Sequence, residues 1–401
     1  MRVVILGAGH GGGHLATTLA RMNADLEITL IGDEPVLPYQ RPPLSKAFLA
    51  GDLAESRLYL RPEKIYDNAG IERLLGVSAV GLDTEQRVLR LSDGRDLSYD
   101  KLVLATGGRP RFLDIEGKDL AGVFCLRSLA HVNAMREQFQ AAQSLVILGG
   151  GYIGLEVAAV ARKFGKNVHI VEKEERLLAR VATPETSEFF KRLHEEEGTQ
   201  LHLSCHAERI EGQGRVRKVV LSDGQVLDAD FVLMAVGLEP NIELAEQADI
   251  VCDNGVLVNE FGLTSHEDVY AFGDCANMMN LALGRFCRLE SVQNAVDAGN
   301  VVAAHICGVE EPYQAVPWFW SDQFDVKYQS VGLAQGYDEV IRRGSDDRRY
   351  SLFYMKDGRV IAVDAFSRVK DFMAAKKLVA DKVKLPATQI ADEDFEIKSL
   401  L

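Results

Sequence analysis

The sequence is short of paired cysteines, of long apolar runs and of basic charge, and each shortage excludes a class of protein. Its cysteines, Cys125, Cys205, Cys252, Cys275, Cys287 and Cys307, form no CxxC pair and no metal-like cluster. They read as separate thiols in a reducing compartment, and no metal site is expected. No apolar run approaches the roughly 20 residues needed to span a bilayer. The opening MRVVILGAG goes straight into a strand pattern without a secretory stretch, so the expectation is a cytoplasmic protein with no membrane partner. A formal charge of −14 argues against a nucleic-acid scaffold, because phosphate binding wants a basic excess.

What is present is globular: 401 residues, 47% apolar and 26% charged, enough for two or three domains. The organising feature is an internal repeat. RVVILGAGHGG from Arg2 matches SLVILGGGYIG from Ser144, each an apolar run followed by GxGxxG at Gly7, Gly9 and Gly12 and at Gly149, Gly151 and Gly154. Gly11 and the pair Tyr152–Ile153 lie inside these loops. After each helical pattern a second apolar run ends in acid, at Asp33 and at Glu172, about two dozen residues on, near the spacing of a ribose-binding carboxylate. Downstream, LSDGRDLSYDKLVLATGGRP from Leu91 matches LSDGQVLDADFVLMAVGLEP from Leu221, each a hairpin followed by a strand returning to the sheet.

One such glycine pattern is weak evidence; two, each between strand and helix and each followed by an acid, indicate two bound dinucleotides. The glycines serve a tight turn, a close approach of backbone to pyrophosphate and close helix packing, and helix amino-terminal amides face the phosphate charge. An acid at such a position accepts from ribose hydroxyls and repels a 2′-phosphate; at Glu172 the adjacent Lys173 softens that preference. His10 and His14 in GAGHGGGH are expected to fill the loop. His202 and His206 alternate with apolar residues and are expected on a strand, not around zinc. From about Tyr313 the chain reads as a third domain: strand-like EVIRRG, then YSLFYMKDGRVIAVDAF with a DG turn, then a helix in VKDFMAAKKLVADKV.

The segments ATGGRP at Ala105, AVGLEPN at Ala235 and YAFGDCA at Tyr270, with the two fingerprints, resemble the glutathione-reductase-type flavoproteins. Within that superfamily PYQRPPLSK, LYLRP at Leu58, GGGYIGLE at Gly149, RLESVQNA at Arg288 and PWFWSDQ at Pro317 resemble the oxygenase-coupled NADH-dependent ferredoxin reductases, which include putidaredoxin reductase and rubredoxin reductases. The resemblance implies an α/β fold of two Rossmann-like domains, for FAD and NAD, plus a small C-terminal α+β domain. Its boundaries are 1–107 with 239–312 for FAD, 108–238 for NAD and 313–401 for the last domain. The resemblance implies FAD contacts from Asp33, Arg41, Ala79, Thr106, Gly107, Arg127, Asp274, Val292 and Trp320, with Gly237 near the nucleotides and Tyr152 near the nicotinamide or packed on its helix. It places Lys46, where related peroxidases carry a cysteine, against the flavin near N5 and O4, with Glu156 as partner, both catalytic. A buried ammonium needs such a partner.

The implied activity is electron transfer from NADH through FAD, one electron at a time, to a small acidic 2Fe-2S ferredoxin or a rubredoxin feeding a P450 or a ring-hydroxylating oxygenase. Arg61, Arg285, Arg288 and Lys327 are candidates for the docking patch, and the chain is expected as a monomer or homodimer. Two alternatives stay open at this point: an NADH oxidase or peroxide reductase, and a redox-signalling flavoprotein like apoptosis-inducing factor.

Overall fold

Both apolar runs that precede a glycine fingerprint become central strands of parallel sheets, since a strand covered on both faces is apolar along nearly its whole length. In the computed structural model, which describes residues 1–397, Val3, Val4 and Ile5, and in the second copy Leu145, Val146 and Ile147, are at most 1% exposed. Chain contacts divide the protein into two units. One comprises Met1–Gln40, Glu55–Arg109 and Glu239–Phe319; the other comprises Arg41–Ala54, Pro110–Leu238 and the chain from Trp320 onward.

The first unit is built on a five-stranded sheet in the order Val269–Ala271, Lys101–Leu104, Arg2–Leu6, Glu27–Gly32, Glu72–Leu75, all pairs parallel. Its helices His10–Met22 and Val292–Ile306 pack on each other with the ring of Phe272 at their junction. A Cβ on Gly11 would stand 2.8 Å from that ring and one on Gly299 3.1 Å, so both glycines make room for it. His10 opens the first helix and His14 lies within it, with Nε2 2.7 Å from Asn300 Oδ1. The expected loop role of the two histidines is therefore corrected: the helix begins directly after Gly9.

The second unit repeats the plan. Its sheet runs Gln200–His202, Asn167–Val171, Ser144–Leu148, Phe231–Met234, Val123–Cys125, again parallel throughout. The two matched hairpin segments fold alike: Val88–Leu91 with Asp96–Ser98 before Lys101–Leu104, and Val216–Leu221 with Val226–Asp228 before Phe231–Met234. Of the two histidines expected on a strand, His202 lies on Gln200–His202, its Nε2 3.1 Å from His169 Nδ1; for His206 the expectation is corrected, because the chain turns at Ser204, φ 53°, and the next strand begins only at Ala207. No group of three potential metal ligands occurs among the described residues.

The chain then forms a five-stranded sheet in the order Trp318–Gln323, Val326–Gly332, Arg359–Phe366, Ser351–Lys356, Glu339–Arg343, whose last four strands pair antiparallel. The hairpin turns at Asp357 and Gly358, φ 51° and 71°, the left-handed pair that suits a two-residue turn. Helix Val369–Ala380 covers the sheet with Phe372, Ala375 and Leu378 buried. No helix among the described residues is long and apolar enough to cross a membrane.

Candidate active site

The two glycine loops have the same steric logic. Gly7 and Gly149 lie at φ 117° and 109°, where a side chain is strained, and a Cβ on either would overlap a backbone carbonyl, that of Ala105 or of Ala235. A Cβ on Gly12 would overlap the Gly7 carbonyl oxygen, and one on Gly154 that of Gly149. Helix and strand thus approach as closely as backbones permit. Gly9 and Gly151 cap the two helices without any side-chain acceptor, in contrast to Ser128, Thr183 and Ser291, whose hydroxyls accept an amide of their own helix. The first turns of both fingerprint helices thus lack a side-chain cap, the arrangement in which helix amides take up an anion, and a Cβ on Gly151 would meet only open space.

Glu172 follows the strand Asn167–Val171 directly. Its Oε2 accepts from Gly150 N at 2.6 Å and its Oε1 from Glu174 N at 2.9 Å, so two backbone amides fix the carboxylate at the glycine loop. In the first copy Asp33 is exposed, while its neighbour Glu34 accepts from the Tyr39 hydroxyl at 2.7 Å.

The stiff segment RPPLSK forms a short 3-10 turn over Pro42–Ser45, then helix Ala47–Ala50, with Lys46 at the junction. The Lys46 ammonium lies 2.6 Å from Glu156 Oε2 and donates to Pro42 O at 3.3 Å. Glu156 is 4% exposed, inside helix Tyr152–Lys163. Sequence resemblance paired these two residues, and the structure brings them together. Removing one partner of such a buried pair leaves an uncompensated charge. The same oxygen of Glu156 accepts from Ser45 Oγ at 2.5 Å, and Oε1 accepts from Ser321 Oγ at 2.6 Å.

Arg41 and Arg127 also meet: the Arg41 guanidinium donates to the Arg127 carbonyl at 2.7 Å. Ser128 caps the helix that follows. Thr106 Oγ1 donates to Asn241 O at 2.7 Å, and Asn241 Nδ2 returns to Thr106 O at 2.9 Å, tying ATGG to LEPN beside Gly107 at φ 61°. Asp274 lies in the turn Gly273–Cys275, half-buried, and burial pushes the Cys275 thiol up. Val292 opens its helix after the Ser291 cap. Ala79 begins a hairpin strand, and Trp320 is half-buried on Trp318–Gln323. Gly237, at φ 111°, has the Arg180 guanidinium 2.9 Å from where its Cβ would be. Ile153 is exposed. The Tyr152 ring stacks on Tyr328 at 5.9 Å, edge-on to Phe190 at 6.3 Å, and burial raises its phenol. Of the docking candidates Arg61, Arg285 and Lys327 are exposed, but Arg288 is taken up by Glu290 and the Asp274 carbonyl.

Sequence reasoning did not single out Ser45, Ser321, Gln323 or His194. The signal for two of them was present: in the strand WFWSDQ, Ser321 and Gln323 share the buried face while Asp322 points out. Two inward polar residues on one strand face require polar partners.

Residues 1–299 match the family described as pyridine nucleotide-disulphide oxidoreductase, and residues 318–401 match the reductase C-terminal family. The chain belongs to the pyridine nucleotide-disulphide oxidoreductases. It is 41% identical over 401 residues to the 5,5'-dehydrodivanillate O-demethylase ferredoxin reductase subunit of Sphingobium sp., covering 99% of this chain and 97% of that one. The crystal structure of the ferredoxin reductase for the CYP199A2 system from Rhodopseudomonas palustris superposes with a TM-score of 0.97 at 41% identity, covering 100% and 99% of the two chains. The covalent putidaredoxin reductase-putidaredoxin complex gives 0.96 at 39% identity, covering 100% and 97%.

As a member of this oxidoreductase family the chain is an enzyme that uses FAD and NADH. The residues fit both groups: two glycine cradles that a Cβ would fill, two helices whose first amides have no side-chain cap, and a lysine held on a buried carboxylate. Despite the family's name, the sequence has no CxxC or CxxxxC pair, and Lys46 stands in the RPPLSK loop.

Proposed function

We propose that this enzyme is an NADH:ferredoxin reductase. It passes electrons from NADH through FAD, one at a time, to a small acidic 2Fe-2S ferredoxin or a rubredoxin that serves a P450 or ring-hydroxylating oxygenase. The observation that carries the reading is the buried Lys46–Glu156 pair in a chain without a dithiol and alike over its full length to ferredoxin reductases. A lysine cannot relay electrons to a disulfide, so the acceptor must take them from the flavin itself.

The proposed organisation assigns FAD to residues 1–107 and 239–312, NAD to 108–238 and a C-terminal domain to 313–401. Bound FAD would supply two-electron acceptance and one-electron release. The chain's own residues do the rest. Gly7, Gly9 and Gly12 admit the FAD pyrophosphate, with Gly11 offering its backbone amide while its open face takes the Phe272 ring, and Gly149, Gly151 and Gly154 admit that of NADH. Asp33 takes the FAD ribose; Arg41, Ala79, Thr106, Gly107, Arg127, Asp274, Val292 and Trp320 complete the FAD contacts. Glu172, already oriented by two amides, takes the ribose hydroxyls of NADH and repels a 2′-phosphate. Tyr152, Ile153 and Gly237 border the nicotinamide side. Lys46 sets a fixed positive charge at the flavin ring, with Glu156 neutralising and orienting it. Arg61, Arg285 and Lys327 offer positive charge to an acidic partner, and the enzyme acts as a monomer or homodimer in the cytoplasm.

The test is anaerobic reduction of cytochrome c by NADH, with and without added 2Fe-2S ferredoxin. Strong dependence on ferredoxin is the expected result. Rapid flavin reduction with no effect from any of several ferredoxins or a rubredoxin overturns the proposal in favour of a small-molecule acceptor.

A further inference from the structure

Behind Glu156 the hydrogen bonds continue inward. Ser321 Oγ lies 2.6 Å from Glu156 Oε1, Gln323 Nε2 lies 3.0 Å from Ser321 Oγ, and His194 Nε2 lies 2.8 Å from Gln323 Oε1. His194 Nδ1 lies 3.4 Å from Thr199 Oγ1. Every member from Glu156 to Thr199 is at most 4% exposed, His194 not at all. The segments that supply them are far apart in sequence: helix Tyr152–Lys163, helix Pro184–Glu196 with the turn after it, and strand Trp318–Gln323.

The carboxylate end fixes the direction of every bond. A carboxylate only accepts, so Ser321 donates its one proton to Glu156. The Ser321 oxygen then accepts from the Gln323 amide nitrogen, which turns the Gln323 carbonyl toward His194. That carbonyl needs a donor, so the imidazole carries its proton on Nε2. Burial holds His194 down to about 4; the ring is therefore neutral at physiological pH, and Nδ1 accepts from the Thr199 hydroxyl. All donors point toward Glu156, with Lys46 and Ser45 meeting it from the other side. A carboxamide in the middle transmits a hydrogen bond but does not hand on a proton, so the chain orients and does not conduct.

We propose that His194 is a positioning residue for the flavin lysine. Through Gln323 and Ser321 it locks the Glu156 carboxylate in one orientation, and the carboxylate in turn fixes the Lys46 ammonium. The inference rests on the assignment of Lys46 to the flavin made above. Without the chain, Ser321 is free to turn from Glu156, and Glu156 and Lys46 can drift as a pair.

Two measurements test it on the FAD-loaded full chain. In ¹⁵N-histidine NMR, His194 should carry its proton on Nε2 at pH 7, keep it at pH 5, and change its shift when Gln323→Met removes the acceptor. A proton on Nδ1 overturns the inference. In anaerobic stopped flow, Lys46→Met should slow flavin reduction by NADH about a hundredfold. Gln323→Met and His194→Leu should each slow it about tenfold, as outer supports of a site do. His194→Gln, which keeps a donor, should stay near the parent rate, and Ser321→Ala guards against misfolding of the larger changes. In the Lys46→Met background none of these should slow the reaction further. A Lys46→Met enzyme at the parent rate overturns the assignment of Lys46 and the inference with it. Slow Lys46→Met beside unaffected Gln323→Met and His194→Leu, or effects that simply multiply, overturns the inference alone.

Discussion

The two glycine fingerprints are copies of one scaffold that diverge in how the following strand ends. Gly7 N donates to Ile31 O and Gly149 N to Val171 O, both at 2.8 Å, so Ile31 and Val171 are structural equivalents. The next residue is Gly32 in the first copy and Glu172 in the second. A Cβ on Gly32 would press on the Ala8 methyl at 2.5 Å, where Glu172 instead sends a carboxylate to the amide of Gly150. The first copy therefore carries its acid one residue later, exposed at Asp33. The repeat keeps what any pyrophosphate needs, close backbone and helix starts without a side-chain cap, and varies the acid that reads the sugar.

The comparison breaks most sharply at the glycines. Gly12→Val drives a side chain into the Gly7 carbonyl, and Gly154→Val into that of Gly149. The first should yield colourless protein without flavin; the second should stay yellow but lose reduction by NADH. Flavin absorbance of the purified proteins and an NADH titration check both, and the reverse pattern would exchange the roles of the two copies.

Next in size is the pair that only the second unit holds. Lys46→Met leaves Glu156 buried without its cation, and unfolding should become easier by about 3 kcal/mol, measured by denaturant titration. No change would mean that Ser45 and Ser321 satisfy the carboxylate by themselves.

A third difference is a histidine. His305 of the first unit is half-buried against Tyr270, whereas His194 is fully buried and held at about 4. Between the ordinary value near 6.5 and about 4 the unfolded chain binds a proton here that the native chain refuses. Stability therefore falls as the pH drops through that window, and the penalty is absent above it. From pH 7 to pH 5 the parent chain should lose about 2 kcal/mol that His194→Gln retains. Equal losses would show that His194 does not titrate between the two states.

The smallest effect concerns the sugar acid. Glu172→Ala should narrow the preference for NADH over NADPH by about tenfold, one tenfold step being 1.36 kcal/mol. Asp33→Asn should leave that ratio unchanged and weaken FAD retention. Comparison of kcat/KM for the two nucleotides checks the first, and dialysis against salt the second.

Much of this was legible in the sequence because it is local. The repeat, the hairpins before Lys101–Leu104 and Phe231–Met234 and the Asp357–Gly358 turn follow from period-2 runs and glycine placement. Lys46 and Glu156 came from resemblance and do meet. What stayed hidden depends on register and on distance along the chain. Counting residues aligned Asp33 with Glu172, while the strand register aligns Gly32 with it. His194 comes from one segment and Ser321 and Gln323 from another far along the chain, and nothing in HEEEGT marks His194 as fully buried.

Single-turnover oxidation tests the central claim most directly. The enzyme is reduced anaerobically with one equivalent of NADH and mixed with excess oxidised 2Fe-2S ferredoxin while both chromophores are followed. The account predicts that two ferredoxins are reduced per NADH, one after the other. A reduced flavin that leaves ferredoxin and rubredoxin untouched yet is reoxidised rapidly by dioxygen or peroxide would contradict it.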